Sequence, residues 1–338
     1  MNGDDGSMSL DFLAGFTIFM LALIIVVSLV PGLLVGLQSS GIDYDAVAYR
    51  TGVILVEDPG WPLYPAWEQY GAADKDKIER IGLAVSRETP NILLSEKVNA
   101  LFDAGLFSYP DDYHGRVIFG DYPYSFNISL TRSDGSVPQF VGAERPSGYG
   151  YIRRVVMIKE PANLTVNCMN PDYLANPSEA TQTFTVQLDY SELLDPTIGS
   201  AYQIDPRAEP VIVSITNFGA SLNGTSPDPT LRKVRLSKNG VTLNLPDYTV
   251  LDPAKYQLSV DGAPVNLTPG LPVTGSIDLR LEPAWLATLP LDQNSILGVT
   301  YTFDDSPPRT LLSGTHLYDY DNTTRPVLAR GALEVAVW

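Results

Sequence analysis

The first residues to test for chemistry are the two histidines, His114 and His316, because imidazole moves protons most readily near neutral pH. They stand far apart in the sequence and in different expected domains, and no G-x-S-x-G nucleophile elbow accompanies either. A hydrolase would need one of them in a cleft beside a nucleophile. The chain carries no P-loop, no dinucleotide fingerprint after a strand, and no H-E-x-x-H. Cys168 is the only cysteine, which excludes an intrachain disulfide and a cysteine-based zinc site. It falls in an expected strand over 164–168, where it reads as a small buried hydrophobe. Asp304-Asp305 and Asp319-Tyr320-Asp321-Asn322 gather oxygen ligands in expected loops. Asp319 and Asp321 are the calcium candidates, although neither cluster follows the EF-hand spacing and solvated turns explain them as simply. The expectation is therefore a protein with no catalytic residues and no cofactor.

The elements that would hold any such site come from composition and pattern. The net charge is −17, with 27 Asp, 12 Glu, 15 Arg and only 7 Lys. That balance repels nucleic acid, since phosphate binding needs clustered cations. Residues 12–37 form 26 consecutive positions without a charge, against about 20 apolar residues needed to cross a bilayer core. The run is too long for an ordinary signal-peptide core and is not followed by a small-x-small cleavage site. The sequence thus predicts a transmembrane helix, interrupted at Pro31-Gly32 and resuming over 39–56, where Tyr44, Val47, Ala48, Thr51 and Leu55 share a face. Five Asn-x-Ser/Thr sequons, at Asn127, Asn163, Asn223, Asn266 and Asn322, all follow this run and are candidate glycosylation sites on an exposed domain.

The stretch from Asp4 to Phe12, DDGSMSLDF, resembles the class III signal peptide of type IV pilin-like proteins. The succession DPGWP, IGLA and NILLSEKVNAL is similar to archaeal pilin-like exported proteins, and the resemblance covers roughly residues 7–158. It implies a prepilin-type peptidase that cuts after Gly6, leaving Ser7 as the new N-terminus and Asp11 at the fifth mature position. It further implies that Asp11 sets subunit register by pairing with the free amine of a neighbouring copy. Read from the residues alone, Asp11 equally suits a helix N-terminus, where a carboxylate meets the helix dipole. The leader carries Asp4 and Asp5 where the family usually carries Lys or Arg. The implied protein is a membrane-anchored, surface-exposed structural or adhesion subunit, single-pass, with its C-terminal part outside the cell. Its partners would be membrane lipid, the peptidase and like subunits. The alternative is an anchored envelope protein that binds a glycan or protein and never polymerises.

Beyond the stem, alternating polarity predicts strands over 124–131, 137–141, 151–159 and 183–190, after helix-like spacing near 78–85 and 91–106. Tyr109, Tyr113, Tyr122, Tyr124, Tyr149 and Tyr151 gather around that first sheet, as packing or as an adhesive surface. Eight further short strands follow residue 210, with hairpin signals at Asn239-Gly240 and Asp261-Gly262. The expected class is α+β: a long N-terminal transmembrane helix, a small α/β-sheet unit, then a C-terminal antiparallel β-sandwich. The boundaries are a leader over 1–6, transmembrane and stem helix over 7–56, sheet domain over 57–192, linker over 193–210 and sandwich over 211–338.

Overall fold

The structure is a computed structural model that describes residues 10–37, 43–118, 122–173, 181–218, 230–243, 254–266, 268, 270–304, 312–318 and 326–338. It divides into two units, residues 1–43 and 44–338. The first holds helix α1 (Leu10–Leu37), whose side chains are described over 12–28. Thr17 and Ser28 turn their hydroxyls back onto the carbonyls of Leu13 and Ile24, which keeps those donors satisfied without water.

The second unit carries two hydrophobic cores and three sheets. The first core forms where helix α2 (Tyr44–Glu57) lies on a five-stranded sheet. In spatial order that sheet is β1 (Ile92–Leu94), β4 (Gly150–Lys159), β16 (Leu328–Val337), β2 (Phe126–Arg132) and β3 (Gln139–Gly142). The face of α2 that packs down is Val47, Ala48, Thr51, Gly52, Leu55 and Val56, matching the stripe read from the sequence. At Gly150, a Cβ would fall 2.1 Å from the carbonyl carbon of Tyr44, so this glycine lets strand and helix meet. Helix α3 (Ser95–Leu101) adds Val98 and Leu101 to the same core.

The second core lies between two sheets. One is ordered β11 (Ala263–Pro264), β10 (Tyr256–Val260), β13 (Ile277–Leu281), β7 (Val211–Thr216) and β5 (Ala162–Asn167). The other is ordered β12 (Leu271–Pro272), β8 (Thr230–Lys238), β14 (Ile296–Asp304), β6 (Thr181–Asp189) and β15 (Gly314–Tyr318), with β9 (Val241–Thr242) on β8. Alternate residues enter the core: Leu297, Val299, Tyr301 and Phe303 from β14 and Val211, Val213 and Ile215 from β7 all belong to it. The predicted hairpin turns are present, with positive φ at Asn239, Gly240, Asp261 and Gly262. Cys168 is buried in this core, and burial pushes its thiol up to about 12, which suppresses thiolate chemistry.

This architecture corrects the expected fold class. Among the described residues no helix is long and apolar enough to cross a membrane. The chain also does not build a sheet unit first and a sandwich second. β5 and β6, upstream of residue 193, join the second core, while the last strand, β16, becomes the centre of the first sheet. Nor are the sheets purely antiparallel, because β1·β4, β5·β7 and β6·β15 pair in parallel. The fold is mixed α/β with three sheets. The physical reason is that a period-two apolar pattern states which face of a strand is buried, not which sheet buries it.

The loops beside α2 are tied by Asp112. Its carboxylate accepts from Lys75 Nζ at 2.9 Å, from Arg116 at 2.9 Å and from the backbone amide of Ser108 at 2.8 Å. Burial opposes the charge, but these donors and both cations outweigh it and hold the carboxyl below its ordinary range. A depressed carboxylate contributes stability above its unfolded pKa and loses it as pH falls through the folded value. Asp112→Asn is expected to cost about 1.5–3 kcal/mol at pH 7 and to flatten the acid limb of stability. Urea titrations between pH 7 and pH 2 check both; an unchanged acid limb would refute the assignment.

Candidate functional site

The residues from Asp58 to Gln69 form a loop with little regular structure, yet it is held tightly. Gly60 adopts φ +82°, and a Cβ there would lie 2.4 Å from the Trp67 indole. The Asp58 carboxylate accepts from the Gly60 amide at 2.7 Å and pairs with Arg80. The backbone amide of Trp61 donates to Arg80 O at 2.8 Å, and buried Trp67 donates its Nε1–H to Gly82 O at 2.9 Å. These ties leave Trp61 and Tyr64 exposed, at 45% and 65%, on one wall of a cleft of about 440 Å³. The opposite wall comes from residues 200–209, within the segment read as a linker, where Ile204 and Glu209 are buried.

Three buried ionisable groups, Lys97, Lys159 and Glu209, line this cleft together with Glu68, a half-buried residue whose carboxylate oxygens are enclosed. Lys97, from α3, donates to Pro59 O at 2.7 Å and Ala84 O at 3.0 Å, and so clamps the loop from below. Burial pushes its ammonium down, with Glu68 opposing. Lys159, from the end of β4, is 1% exposed and donates to Glu209 Oε1 and to Gln203 O, each at 2.6 Å. Burial pushes the Glu209 carboxyl up against the pull of Lys159. Glu68 sits in the short turn Trp67–Gln69, and burial raises its carboxyl too, with Lys97 opposing. Lys97 acts on Glu68 through its charge alone, and the Glu68 oxygens and Glu209 Oε2 are enclosed with no hydrogen bond from another described residue. These enclosed charges fix the floor of the cleft, and what its mouth presents is the aromatic surface of Trp61 and Tyr64.

The residues singled out from the sequence lie elsewhere. His114 Nε2 is 2.8 Å from the Tyr124 carbonyl, so that nitrogen carries the proton, and the ring rests on Phe126. His316 bonds through Nδ1 to the Tyr173 hydroxyl and packs against Tyr318. The two histidines are not brought together: one belongs to the first core's surroundings, the other to β15. Among the described residues no group of three His, Cys, Asp or Glu is placed to hold a metal. The calcium candidates Asp319 and Asp321, the processing pair Gly6 and Ser7, and sequons Asn223 and Asn322 lie outside the described residues, as does the side chain of Asp11. Asn127 is buried, donating to Ala143 O and accepting from Arg145, whereas Asn163 and Asn266 are exposed. The tyrosines divide: Tyr113 is buried under Leu101, while Tyr109, Tyr122, Tyr149 and Tyr151 are exposed.

Sequence reasoning missed Glu68, Lys97, Lys159 and Glu209. A usable signal existed in the lysines, because a chain with only seven places Lys97 and Lys159 inside apolar surroundings, SEKVNAL and VVMIKE. Lysine there needs a buried partner. Comparison with known proteins finds no matching family model, no matching curated protein and no matching solved structure.

Proposed function

We propose that this chain is a pilin-like surface subunit, structural or adhesive rather than catalytic, held at a cell membrane by its N-terminal apolar segment. One observation carries the reading. From Phe12 to Val27 the large apolar side chains of α1 are exposed all round the helix, from 39% at Met20 to 68% at Ile18. Such a surface is unstable in water and calls for lipid or the same segment of other copies. The DDGSMSLDF stretch supports the second half of that demand, since cleavage after Gly6 would free an amine to pair with Asp11 of a neighbour. Exposed Asn163 and Asn266 suit a surface that carries sugar.

The N-terminal residue of the protein from its native membrane, read by mass spectrometry, tests this. A start at Ser7 is the expected result. A start at Met1 or Asn2 would remove the pilin-like reading and leave an envelope binding protein that does not polymerise, the reading favoured by the aromatic cleft.

A further inference from the structure

Among the described residues, Lys159 and Glu209 are the most deeply enclosed pair of opposite charges, with side chains 1% and 4% exposed. Their hydrogen bonds fit an ion pair poorly. An ammonium carries three protons, yet Nζ has two partners, Glu209 Oε1 and Gln203 O, each at 2.6 Å. Oε1 also accepts from the Asp205 amide at 3.1 Å, whereas Oε2 is buried with no hydrogen bond from another described residue. As ions, then, the pair leaves one proton and one oxygen unsatisfied, on top of the desolvation of two charges.

An amide between the same two side chains leaves nothing unsatisfied. It has one N–H, for which Gln203 O is already in place as acceptor, and one carbonyl oxygen, for which the Asp205 amide is already in place as donor. The atoms that find no use in the ion pair are those that condensation removes. Oε2 would leave as water, together with the spare ammonium proton and the one shared between the two groups.

We propose that Lys159 and Glu209 condense in the folded chain into an intramolecular amide that joins Nζ to Cδ. Glu209 first takes a proton from the ammonium across their contact, giving an amine and a carboxylic acid. Burial favours that neutral pair and already pushes the Glu209 carboxyl up. The amine attacks Cδ, the Cδ–Oε2 bond breaks, and Oε2 departs as water with the acid proton and one proton from nitrogen. No oxidant or other reactant is consumed. Condensation of a free amine with a free acid is unfavourable in open water. Here the fold holds the two groups in contact, worth an effective concentration of about 10⁵ M or more when well oriented, and the reaction abolishes two buried charges. Until the bond forms, the two groups remain the ion pair described above. Lys159 ends β4 of the first sheet, and Glu209 stands just before β7 of the second core. The bond therefore ties the two cores together, in a chain whose single cysteine allows no intrachain disulfide. It does not depend on how the N-terminus is processed.

Peptide mapping of the full chain by mass spectrometry, after production in a host that adds no N-glycans, tests this. Trypsin cuts the linear chain after Arg154, Lys159, Arg207 and Arg232. The expected result is a branched peptide, 155–207 joined to 208–232, uncut at Lys159 and lighter by one water than its two arms. Fragmentation should place the link at Lys159 and Glu209. Lys159→Arg, which keeps a buried cation, and Glu209→Leu should each give only linear peptides at full mass. Lys159→Met lowers stability whether an ion pair or a bond is lost, so the mass decides. Separate linear peptides 155–159 and 208–232 from the folded parent chain overturn the proposal. So does a water lost between any other residues, or a loss that persists in Lys159→Arg.

Discussion

Replacing Lys159 by Met is expected to lower the unfolding free energy by about 3–5 kcal/mol at neutral pH, the loss typical when one partner of a buried ion pair is removed. Lys159 and Glu209 are 1% and 4% exposed, and their contact is 2.6 Å. Met matches the length of the lysine stem, so packing is largely retained and the loss reports the charge. Glu209 would then hold a buried carboxylate whose remaining donor is the Asp205 amide at 3.1 Å. Because burial already raises the Glu209 carboxyl, the variant should take up a proton there and recover part of its stability as pH is lowered. The sign follows from a raised acid pKa: its contribution is present below the unfolded value and is lost as pH rises through the folded one. The double variant Lys159→Met/Glu209→Leu should regain most of the loss, because an apolar pair needs no counter-charge. Urea unfolding of the three variants decides it. A single-variant loss below about 1 kcal/mol would mean that the pair is solvated like a surface ion pair.

The second large effect is expected at Trp67. Trp67→Ala should cost about 3–5 kcal/mol, the range for emptying a fully buried aromatic site. The indole is 0% exposed, packs against Phe107, and satisfies the carbonyl of Gly82. Its removal leaves that carbonyl unpaired and frees the turn that places Glu68. Trp67→Phe should cost less, since the ring is partly replaced while the hydrogen bond is lost. Chemical denaturation measures the cost. A Trp67→Ala protein that unfolds at the parent's midpoint would show that the loop is held from elsewhere, through Asp58 and Arg80.

Both effects concern residues with no motif around them, and that explains what could be read early. The buried stripe of α2 was legible because 3.6-residue spacing places Val47, Ala48, Thr51 and Leu55 on one face whatever lies beneath. The turns at Asn239-Gly240 and Asp261-Gly262 were legible because positive φ is demanded locally and only certain residues supply it. The burial of Cys168 followed from its alternation with Leu164 and Val166, although β5 ends at Asn167 and Cys168 opens the turn after it. Glu68 and Glu209 were not legible. They are separated by 141 positions, and in sequence each is one more acid in an acidic chain.

Local features could be read from the sequence by itself, from residue type and spacing within a few positions: the apolar face of α2, the alternation along the strands, the positive-φ turns, and an acidic chain with an apolar N-terminal segment. The helix-like spacing over 78–85, however, forms no helix, and that over 91–106 is helical only in α3. That the last strand completes the first sheet, and that β5 and β6 belong to the second core, depends on pairings between distant parts of the chain. The same long-range packing makes residues 200–209, inside the expected linker, a wall of the cleft beside the 58–69 loop. Strand partners and buried charge pairs are long-range choices, made by whichever arrangement buries the most apolar surface without stranding a charge, and no local pattern records them.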